Sequence, residues 1–208
     1  MPRYIYPPRP KSTIQPQQLP QEEARGCWLW QHKFNGDRCL AIVESTATSR
    51  KVSLANRHGK FHPASKFSKI RSELSDRKFV LPEGTHYLDG ELLVEGGMEV
   101  IVLFDVLQWV KYLIGHTQEH RIEMLRTICG NPTEPCPQNI ALSVTDHVWM
   151  SRTGDRDFVS HFNEYIDNPL IEGLVLRKKG SVMDNWGSSE YEVDWQLRCR
   201  KPSKNYRF

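Results

Sequence analysis

The alternation of apolar and polar positions predicts two β-hairpins. Residues 38–43 and 52–55 are β-rich runs joined by a Ser/Thr-rich loop, and residues 87–94 and 100–106 are apolar runs separated by Glu95-Gly96-Gly97. Short apolar runs joined by turn residues are typical of hairpins. Residues 140–150 predict a further strand, and residues 171–177 predict a buried one.

Helical spacing occurs between these strands. Residues 67–74 carry apolar side chains at intervals of three and four, and residues 118–128 repeat that spacing before Gly130 and Pro132 end the pattern. Residues 155–165 predict a third helix, and residues 131–139, with three prolines, predict a loop. Groups of strands with helices between them indicate an α+β fold with mainly antiparallel sheets.

The first 22 residues have a different composition, rich in Pro and Gln. Because proline lacks an N–H and resists helix interiors, we expect neither a helix nor a strand ladder there. The sequence predicts an extended arm over residues 1–22, lying on the body or loose, and one domain over residues 23–208.

Composition adds size and charge to this picture. The chain has 208 residues, of which 38% are hydrophobic, enough for a sizeable aromatic core. A net charge of +3 is weak evidence for a nucleic-acid partner. Basic residues nevertheless gather at residues 66–77, 177–179 and 198–207, as a phosphate track or as solvated surface charge.

Cysteine usage and hydropathy suggest the environment of the protein. The five cysteines are odd in number and show no CxxC spacing, which disfavours a disulfide framework and a zinc site. No apolar run has the length of a signal-peptide core or of a membrane span. We therefore expect a soluble, non-secreted protein of the cytoplasm, nucleoid or nucleus, with no membrane partner.

Five short motifs in a fixed order carry the chemistry. They are Lys33-Phe34-Asn35-Gly36-Asp37-Arg38, Leu88-Asp89-Gly90-Glu91, Leu103-Phe104-Asp105-Val106, Glu172-Gly173-Leu174-Val175-Leu176-Arg177 and Arg198-Cys199-Arg200-Lys201. An amine attacks phosphorus only when it is unprotonated, which requires a partly dry pocket where basic groups or a metal carry the phosphate charge. The ordered set indicates that Lys33 is a nucleophile, with Trp28 and Trp30 at an aromatic entry to its pocket.

Strand alternation adds expectations for the acidic residues. Asp89 and Glu91 are two positions apart, so both side chains should lie on one face of their strand. Glu172 lies in an apolar strand, where an unpaired carboxylate is costly, and therefore needs a cation, either a metal ion or Lys33. Phe104 offers a flat apolar surface, for a ligand or for the core.

Together these motifs resemble the covalent nucleotidyltransferase superfamily of ATP-dependent DNA ligases, RNA ligases and mRNA capping enzymes, from about Trp28 to Arg200. The DNA ligases are the most similar, and the resemblance implies their ATP-grasp-like adenylation domain. Because the chain ends eight residues after Arg200, we expect no OB-fold domain after it.

The resemblance also implies roles for individual residues. Lys33 becomes linked to AMP, Phe104 stacks on adenine, and Glu91 binds the ribose or helps to hold metal. Glu172 and Asp89 bind divalent metal, and Arg198 and Arg200 bind the α-phosphate. Arg38 binds the nucleotide and the 5′-phosphate of the nick, and Arg57 contacts a phosphate of the nucleic acid.

Two motifs depart from the pattern of DNA ligases. Asn35 replaces their usual aspartate. Arg198-Cys199-Arg200 replaces Lys-x-Lys, and arginine keeps the charge but cannot release a proton. A shift of one residue in strand register would make Lys201 the equivalent instead, with Lys204 also nearby in sequence.

The implied activity is ATP-dependent sealing of 5′-phosphate/3′-hydroxyl nicks in a duplex, first of all in DNA, by a monomer with Mg²⁺ or Mn²⁺. An RNA ligase, a capping guanylyltransferase that uses GTP, and a non-catalytic nucleic-acid-binding remnant of the fold remain alternatives.

Overall fold

A computed structural model describes residues 2–202. The strands are β1 (Arg9–Ile14), β2 (Trp28–Phe34), β3 (Asp37–Ser45), β4 (Arg50–Asn56), β5 (Gly84–Glu95), β6 (Met98–Trp109), β7 (Lys111–Tyr112), β8 (Leu142–Ser143), β9 (Val148–Met150), β10 (Thr153–Gly154), β11 (Ile171–Lys178) and β12 (Glu192–Arg200). The α-helices are α1 (Leu19–Ala24), α2 (Ser68–Leu74), α3 (Gln118–Ile128) and α4 (Phe158–Glu164), and a short 3₁₀ helix spans Pro16–Gln18.

The strands form two sheets. The first has the order β1-β12-β11-β2-β10, and the second has the order β4-β3-β5-β6-β9-β8 with β7 paired to β6. Within residues 2–202 the pairs β1–β12 and β6–β9 are parallel, and the other pairs are antiparallel. The predicted α+β class with mainly antiparallel sheets is confirmed.

Both predicted hairpins form, as β3–β4 and β5–β6. Gly96 and Gly97 connect the second hairpin with φ angles of 58° and 84°. Positive φ at two central residues gives a turn whose twist matches that of the flanking strands. Helix α3 has the predicted bounds, because the Thr117 side chain caps its first turn by accepting from the His120 N–H.

Two of the predicted elements are wrong in extent. Residues 140–150 are not one strand, because the backbone turns between β8 and β9, with the N–H groups of Val144 and Thr145 both donating to the Val148 carbonyl. The helix predicted from residue 155 begins only at Phe158, after Asp157 at a φ of 60°. Turns of this kind leave little trace in an apolar periodicity.

The expectation that prolines prevent secondary structure in the N-terminal arm is also wrong. Pro10 lies within β1, an edge strand with a register shift beside it, where a missing N–H is tolerated. Pro20 lies in the first turn of α1, where that N–H would have no helical partner. The arm is therefore paired with β12 instead of lying unpaired on the surface.

The core consists of three clusters of buried apolar side chains. The largest contains Ile42, Leu88, Ile70 and Leu125, from the second sheet and from α2 and α3. A smaller cluster contains Leu93, Val102 and Trp149, and a third contains Trp30, Leu176 and Phe162, from the first sheet and α4. No helix within residues 2–202 is both long and apolar enough to cross a membrane. All five cysteines are free.

Gly173 is the most constrained position of the first sheet. Its φ is 142°, and a Cβ there would overlap the Cys199 carbonyl oxygen on β12. Gly130 also has a positive φ, of 73°, but a Cβ there would meet no atom within 4 Å. A side chain would cause both backbone strain and steric overlap at Gly173, but only backbone strain at Gly130.

We predict that Gly173→Ala lowers the free energy of unfolding by at least about 3 kcal/mol, because strain and overlap add. Gly130→Ala should cost only about 1 kcal/mol, from strain alone. Urea denaturation followed by circular dichroism measures both values. Equal losses would show that β12 moves away from β11 without cost.

Candidate active site between the two sheets

A cavity of about 550 Å³ lies where the two sheets face each other. The first sheet contributes Lys33, Glu172 and Arg200 to its lining, and the second contributes Arg38 and Glu91. The lining contains seven Lys or Arg side chains and three Asp or Glu side chains. A cavity with this excess of positive charge favours an anionic ligand such as a polyphosphate.

Strand pairing places the lining residues of the first sheet in rows. Lys33 of β2, Gly173 of β11 and Arg200 of β12 form one row. The next rows on the same face are Gln31, Val175 and Arg198, and then Leu29, Arg177 and Gln196. Because side chains alternate along a strand, motifs far apart in sequence meet on one face of the sheet.

The predicted nucleophile lies against a carboxylate. Lys33 Nζ is 2.6 Å from Glu172 Oε2, and Arg200 Nε lies 3.3 Å from the same oxygen. The Lys33 side chain is 18% exposed and that of Glu172 is 31% exposed, so the pair remains open to the cavity. The cation that Glu172 was expected to need is therefore supplied by Lys33 and Arg200.

Glu91 is the acidic group of the cavity whose ionisation is most disturbed. Burial raises its pKa from 4.5 to about 7, although Lys33 and Arg38 favour the charged form. The charges of Asp89 and Glu172 act in the same direction as burial. Any further positive charge or hydrogen-bond donor that enters the cavity would stabilise the ionised form of this half-buried carboxylate.

Asp89 is placed differently from its expected role as a metal ligand. It is fully buried and does not line the cavity, and its two carboxylate oxygens accept hydrogen bonds from Arg38 Nε and Nη2. A register shift between β5 and β6 falls just after Asp89. In this geometry Asp89 holds Arg38, and metal binding would require that pair to break.

Phe104 lines the cavity between two arginines. The guanidinium carbons of Arg177 and Arg38 lie 5.2 Å and 5.7 Å from the centre of its ring. Arg177 in turn donates to Asp105 Oδ2 at 3.0 Å, and the fully buried Arg121 donates to both oxygens of Asp105. The Leu-Phe-Asp-Val motif thus presents the ring to the cavity and anchors a cation beside it.

Gln31 is a lining residue that the sequence analysis did not identify. Its Nε2 donates to the Phe104 carbonyl at 3.0 Å and to Thr153 Oγ1 at 3.1 Å, and its buried Oε1 has no partner within the described residues. A carbonyl oxygen only accepts, so the amide nitrogen must face Phe104. Both amide protons are used, and Gln31 can offer a ligand only an acceptor.

The register of β12 determines which residues of the last basic motif face the cavity. Arg198 and Arg200 alternate with the buried Cys199, and both line the cavity. Lys201 does not line it, because its Nζ donates to the carbonyl oxygens of Tyr165 and Asn168. The alternative in which Lys201 binds phosphate is therefore disfavoured. Lys204 lies outside the described residues.

Other expectations meet the structure with mixed results. Arg57 lines the cavity, on an exposed turn after β4. Gly36 also lines the cavity. A Cβ there would overlap the Leu92 carbonyl oxygen, so the packing of this residue against β5 is enough to require glycine.

The prediction that Trp28 and Trp30 form an aromatic entry to the pocket is wrong, since both are buried in the core of the first sheet. Arg9, Gln31 and Gln196 line the cavity without belonging to any motif.

The carboxylates of the cavity fit a divalent cation only in part. No cluster of three or more His, Cys, Asp or Glu side chains suited to a metal occurs in the described part of the chain. Glu91 and Glu172 both line the cavity, and Mg²⁺ is commonly held by one or two carboxylates together with phosphate oxygens and water. These two residues would therefore hold a cation that arrives with a nucleotide.

Comparison with solved structures identifies the fold. The ligase domain of M. tuberculosis LigD matches with a TM-score of 0.63 at 15% identity, over 94% of this chain and 60% of that one. Two structures titled Pmar-Lig_Pre and Pmar-Lig_PreS3 match with TM-scores of 0.63 and 0.58 at 16% and 15% identity, over 94% and 95% of this chain. They share the fold of the nucleotidyltransferase domain of ligases with this chain, as the motifs predicted.

The chain spans only part of those structures, namely 60% of the first and 46% and 47% of the other two. No protein-family model and no curated protein sequence matches the chain. At this level of identity the comparison establishes the fold and leaves the activity to the residues of the cavity.

The raised pKa of Glu91 predicts a pH-dependent stability. Between pH 4.5 and about 7 the folded protein retains a proton that the unfolded chain has released. The contribution of the protonated Glu91 to the free energy of unfolding is therefore fully present below the unfolded pKa of 4.5, and it is lost as the pH rises through about 7. Glu91→Gln cannot ionise and avoids this loss. We expect the free energy of unfolding of Glu91→Gln, relative to that of the parent protein, to increase by roughly 1–2 kcal/mol from about pH 5 to about pH 8, after allowing for solvent screening.

Urea denaturation at both pH values measures this gain. Glu95→Gln, an exposed change at the end of the same strand, is the control and should follow the parent protein at each pH. A Glu91→Gln profile parallel to that of the parent protein would contradict the prediction.

Proposed function

We propose that the chain is the adenylation domain of an ATP-dependent polynucleotide ligase, with Lys33 as the nucleophile and nicked DNA as the substrate. The observation that carries this proposal is the 2.6 Å contact between Lys33 Nζ and Glu172 Oε2 in a cavity lined mainly by cations. The ligase fold supports it independently.

The reaction has three steps. The neutral amine of Lys33 attacks the α-phosphorus of ATP, so that a P–N bond forms and pyrophosphate leaves. An oxygen of a 5′-phosphate then attacks the same phosphorus, which breaks the P–N bond and leaves AMP on the nucleic acid. Finally a 3′-hydroxyl attacks the 5′-phosphorus, a phosphodiester forms, and AMP is released.

The side chains of the cavity do this work mainly by positioning and by neutralising charge, as is usual in phosphoryl transfer. Glu172 orients the Lys33 amine, and Arg200, in the same row as Lys33, and Arg198, in the next row, receive the α-phosphate. Glu91 is placed to accept a hydrogen bond from the ribose. A divalent cation held by Glu91 and Glu172, when bound, supplies further charge neutralisation to the phosphates.

Gln31 supports ATP over GTP. Phe104 and Gln31 both line the cavity, and Gln31 Oε1, which has no partner within residues 2–202, can only accept. Adenine presents an exocyclic amine, a donor, where guanine presents a carbonyl oxygen. A carbonyl facing Oε1 would leave two buried acceptors opposed, which is costly. This observation disfavours the capping guanylyltransferase alternative.

Nicked DNA and nicked RNA remain to be separated by experiment. Arg38 and Arg57, which resemble the phosphate-contacting arginines of DNA ligases, support DNA. Sealing of matched nicked DNA and nicked RNA duplexes tests this directly. Faster sealing of RNA would replace DNA with RNA in the proposal and leave the chemistry of Lys33 unchanged.

We predict covalent labelling of Lys33. Incubation with α-labelled ATP and Mg²⁺ should give a protein-bound label that survives heat and is released by acid, as expected for a phosphoramide. Lys33→Ala should lose it entirely, because Lys33 is the only lysine within residues 2–202 that lines the cavity. Lys51→Ala, at a lysine whose side chain is 74% exposed on β4, should label as the parent protein does. Labelling of Lys33→Ala would refute the assignment, and binding of duplex without any label would favour the non-catalytic alternative.

We also predict that Gln31 controls the choice of nucleotide. Gln31→Leu should slow labelling by ATP about tenfold, because an acceptor for a buried donor is lost, and should not slow labelling by GTP, because one of two opposed acceptors is removed. Thr153→Val removes one bond that holds the amide but keeps the acceptor, and should slow ATP labelling much less. Equal slowing with ATP and GTP would show that Gln31 acts on the stability of the cavity rather than on the base.

A further inference from the structure

The N-terminal strand brings a cation to the cavity that none of the five motifs contains. Arg9 of β1 lines the cavity, and its side chain is 32% exposed. Its strand is paired with β12 by backbone hydrogen bonds, and the Arg9 N–H donates to the Tyr191 carbonyl at 3.2 Å. The guanidinium therefore extends from an ordered strand.

A single carboxylate holds Arg9 in place. Arg9 Nη1 is 2.8 Å from Glu190 Oε2, and the other oxygen of Glu190 is 3.6 Å from His58 Nδ1. Arg57 Nε donates to His58 Nε2 at 3.0 Å, which places the proton of a neutral His58 on Nδ1, facing Glu190. Glu190 thus connects Arg9 of the first sheet to Arg57 of the second.

The residue that precedes this strand contacts Arg38, the phosphate-binding residue that the motifs predict. The Pro8 carbonyl accepts a hydrogen bond from Arg38 Nη2 at 3.1 Å. Arg9, Arg38 and Arg57 all line one cavity. Of the three, Arg38 is the most buried and Arg57 the most exposed.

The amount of positive charge exceeds the need of one nucleotide. Lys33, Arg198 and Arg200 already occupy two neighbouring rows of the first sheet, and the proposed function assigns them to the α-phosphate. Glu190 is 43% exposed, so its pair with Arg9 is screened by water and contributes little to stability. A phosphate of a polymer offers paired oxygens to a guanidinium and can replace such a partner at low cost.

We propose that Arg9 binds a backbone phosphate of the nucleic-acid substrate, and that Glu190 is the counter-ion which that phosphate replaces. The proposal rests on the proposed function only in taking a nucleic acid as the substrate. The N-terminal strand then serves as part of the binding surface for the nicked strand, beside Arg38 and Arg57.

Binding of a nicked, 5′-phosphorylated duplex, followed by fluorescence anisotropy between about 50 and 200 mM salt, tests the role of Arg9. We expect Arg9→Ala to weaken binding about tenfold and to reduce the slope of log affinity against log salt by about 1, because one phosphate contact is lost. Lys11→Ala, at an exposed residue of β1 that does not line the cavity, is the matched control and should change the affinity less than twofold.

The exchange at Glu190 is tested by a double-variant cycle. Glu190→Gln should tighten binding several-fold in the parent protein, because the phosphate no longer competes with a carboxylate for Arg9. In the Arg9→Ala background the same change should have little effect. An equal gain in both backgrounds would show that Glu190 acts by general repulsion and would overturn the exchange.

Two further results would overturn the role of Arg9. One is an unchanged affinity and salt slope in Arg9→Ala, and the other is an ATP affinity weakened by the same factor as the DNA affinity, which would assign Arg9 to the nucleotide. Covalent labelling of the parent protein is measured alongside. If the parent protein takes no label, the proposed ligase activity fails while the comparison of duplex binding still decides the role of Arg9.

Discussion

The pairing of β11 with β2 on one side and with β12 on the other determines where the charges of the cavity lie. It brings Lys33 next to Gly173 and Arg200, and the carboxylate of Glu172 within 2.6 Å of the Lys33 amine. Gly173 makes this pairing possible, because any side chain there would meet the backbone of β12. A change of one residue in register would turn the arginines of β12 into the core and Cys199 into the cavity.

Concentrating so many cations in one place requires anions behind them. Asp89 holds Arg38, and Asp105 holds both Arg177 and Arg121, so that the buried guanidinium groups are paired before any ligand arrives. Isolated charges of this kind could not be buried. Lys33 and Arg200, which line the cavity, both lie against the partly exposed Glu172. The carboxylates that hold these cations therefore differ in burial, since Asp89 and Asp105 are fully buried and Glu172 is partly exposed.

The N-terminal arm and Gln31 show how residues without a motif take part in the same site. The arm reaches the cavity because β1 adds an edge strand to the first sheet, where Pro10 costs no ladder hydrogen bond. Gln31 becomes an obligatory acceptor because Phe104, on the other sheet, takes one of its amide protons. The first effect arises from strand pairing within the first sheet and the second from a contact between the sheets, and both join residues far apart in the chain.

The sequence by itself was sufficient to predict the α+β class, both hairpins, helix α3 and the group of Lys33, Arg38, Glu91, Phe104 and Glu172. The class and the elements depend on local periods of apolar residues, whereas the group of site residues depends on five ordered motifs and on their resemblance to those of nucleotidyltransferases. Only the tertiary structure decided that Asp89 is paired with Arg38 and that Lys201 does not line the cavity. It also decided that Trp28 and Trp30 are buried in the core, and that Arg9 and Gln31 line the cavity. Each of these depends on which strands pair and in which register, and that choice is made by contacts between residues far apart in the chain.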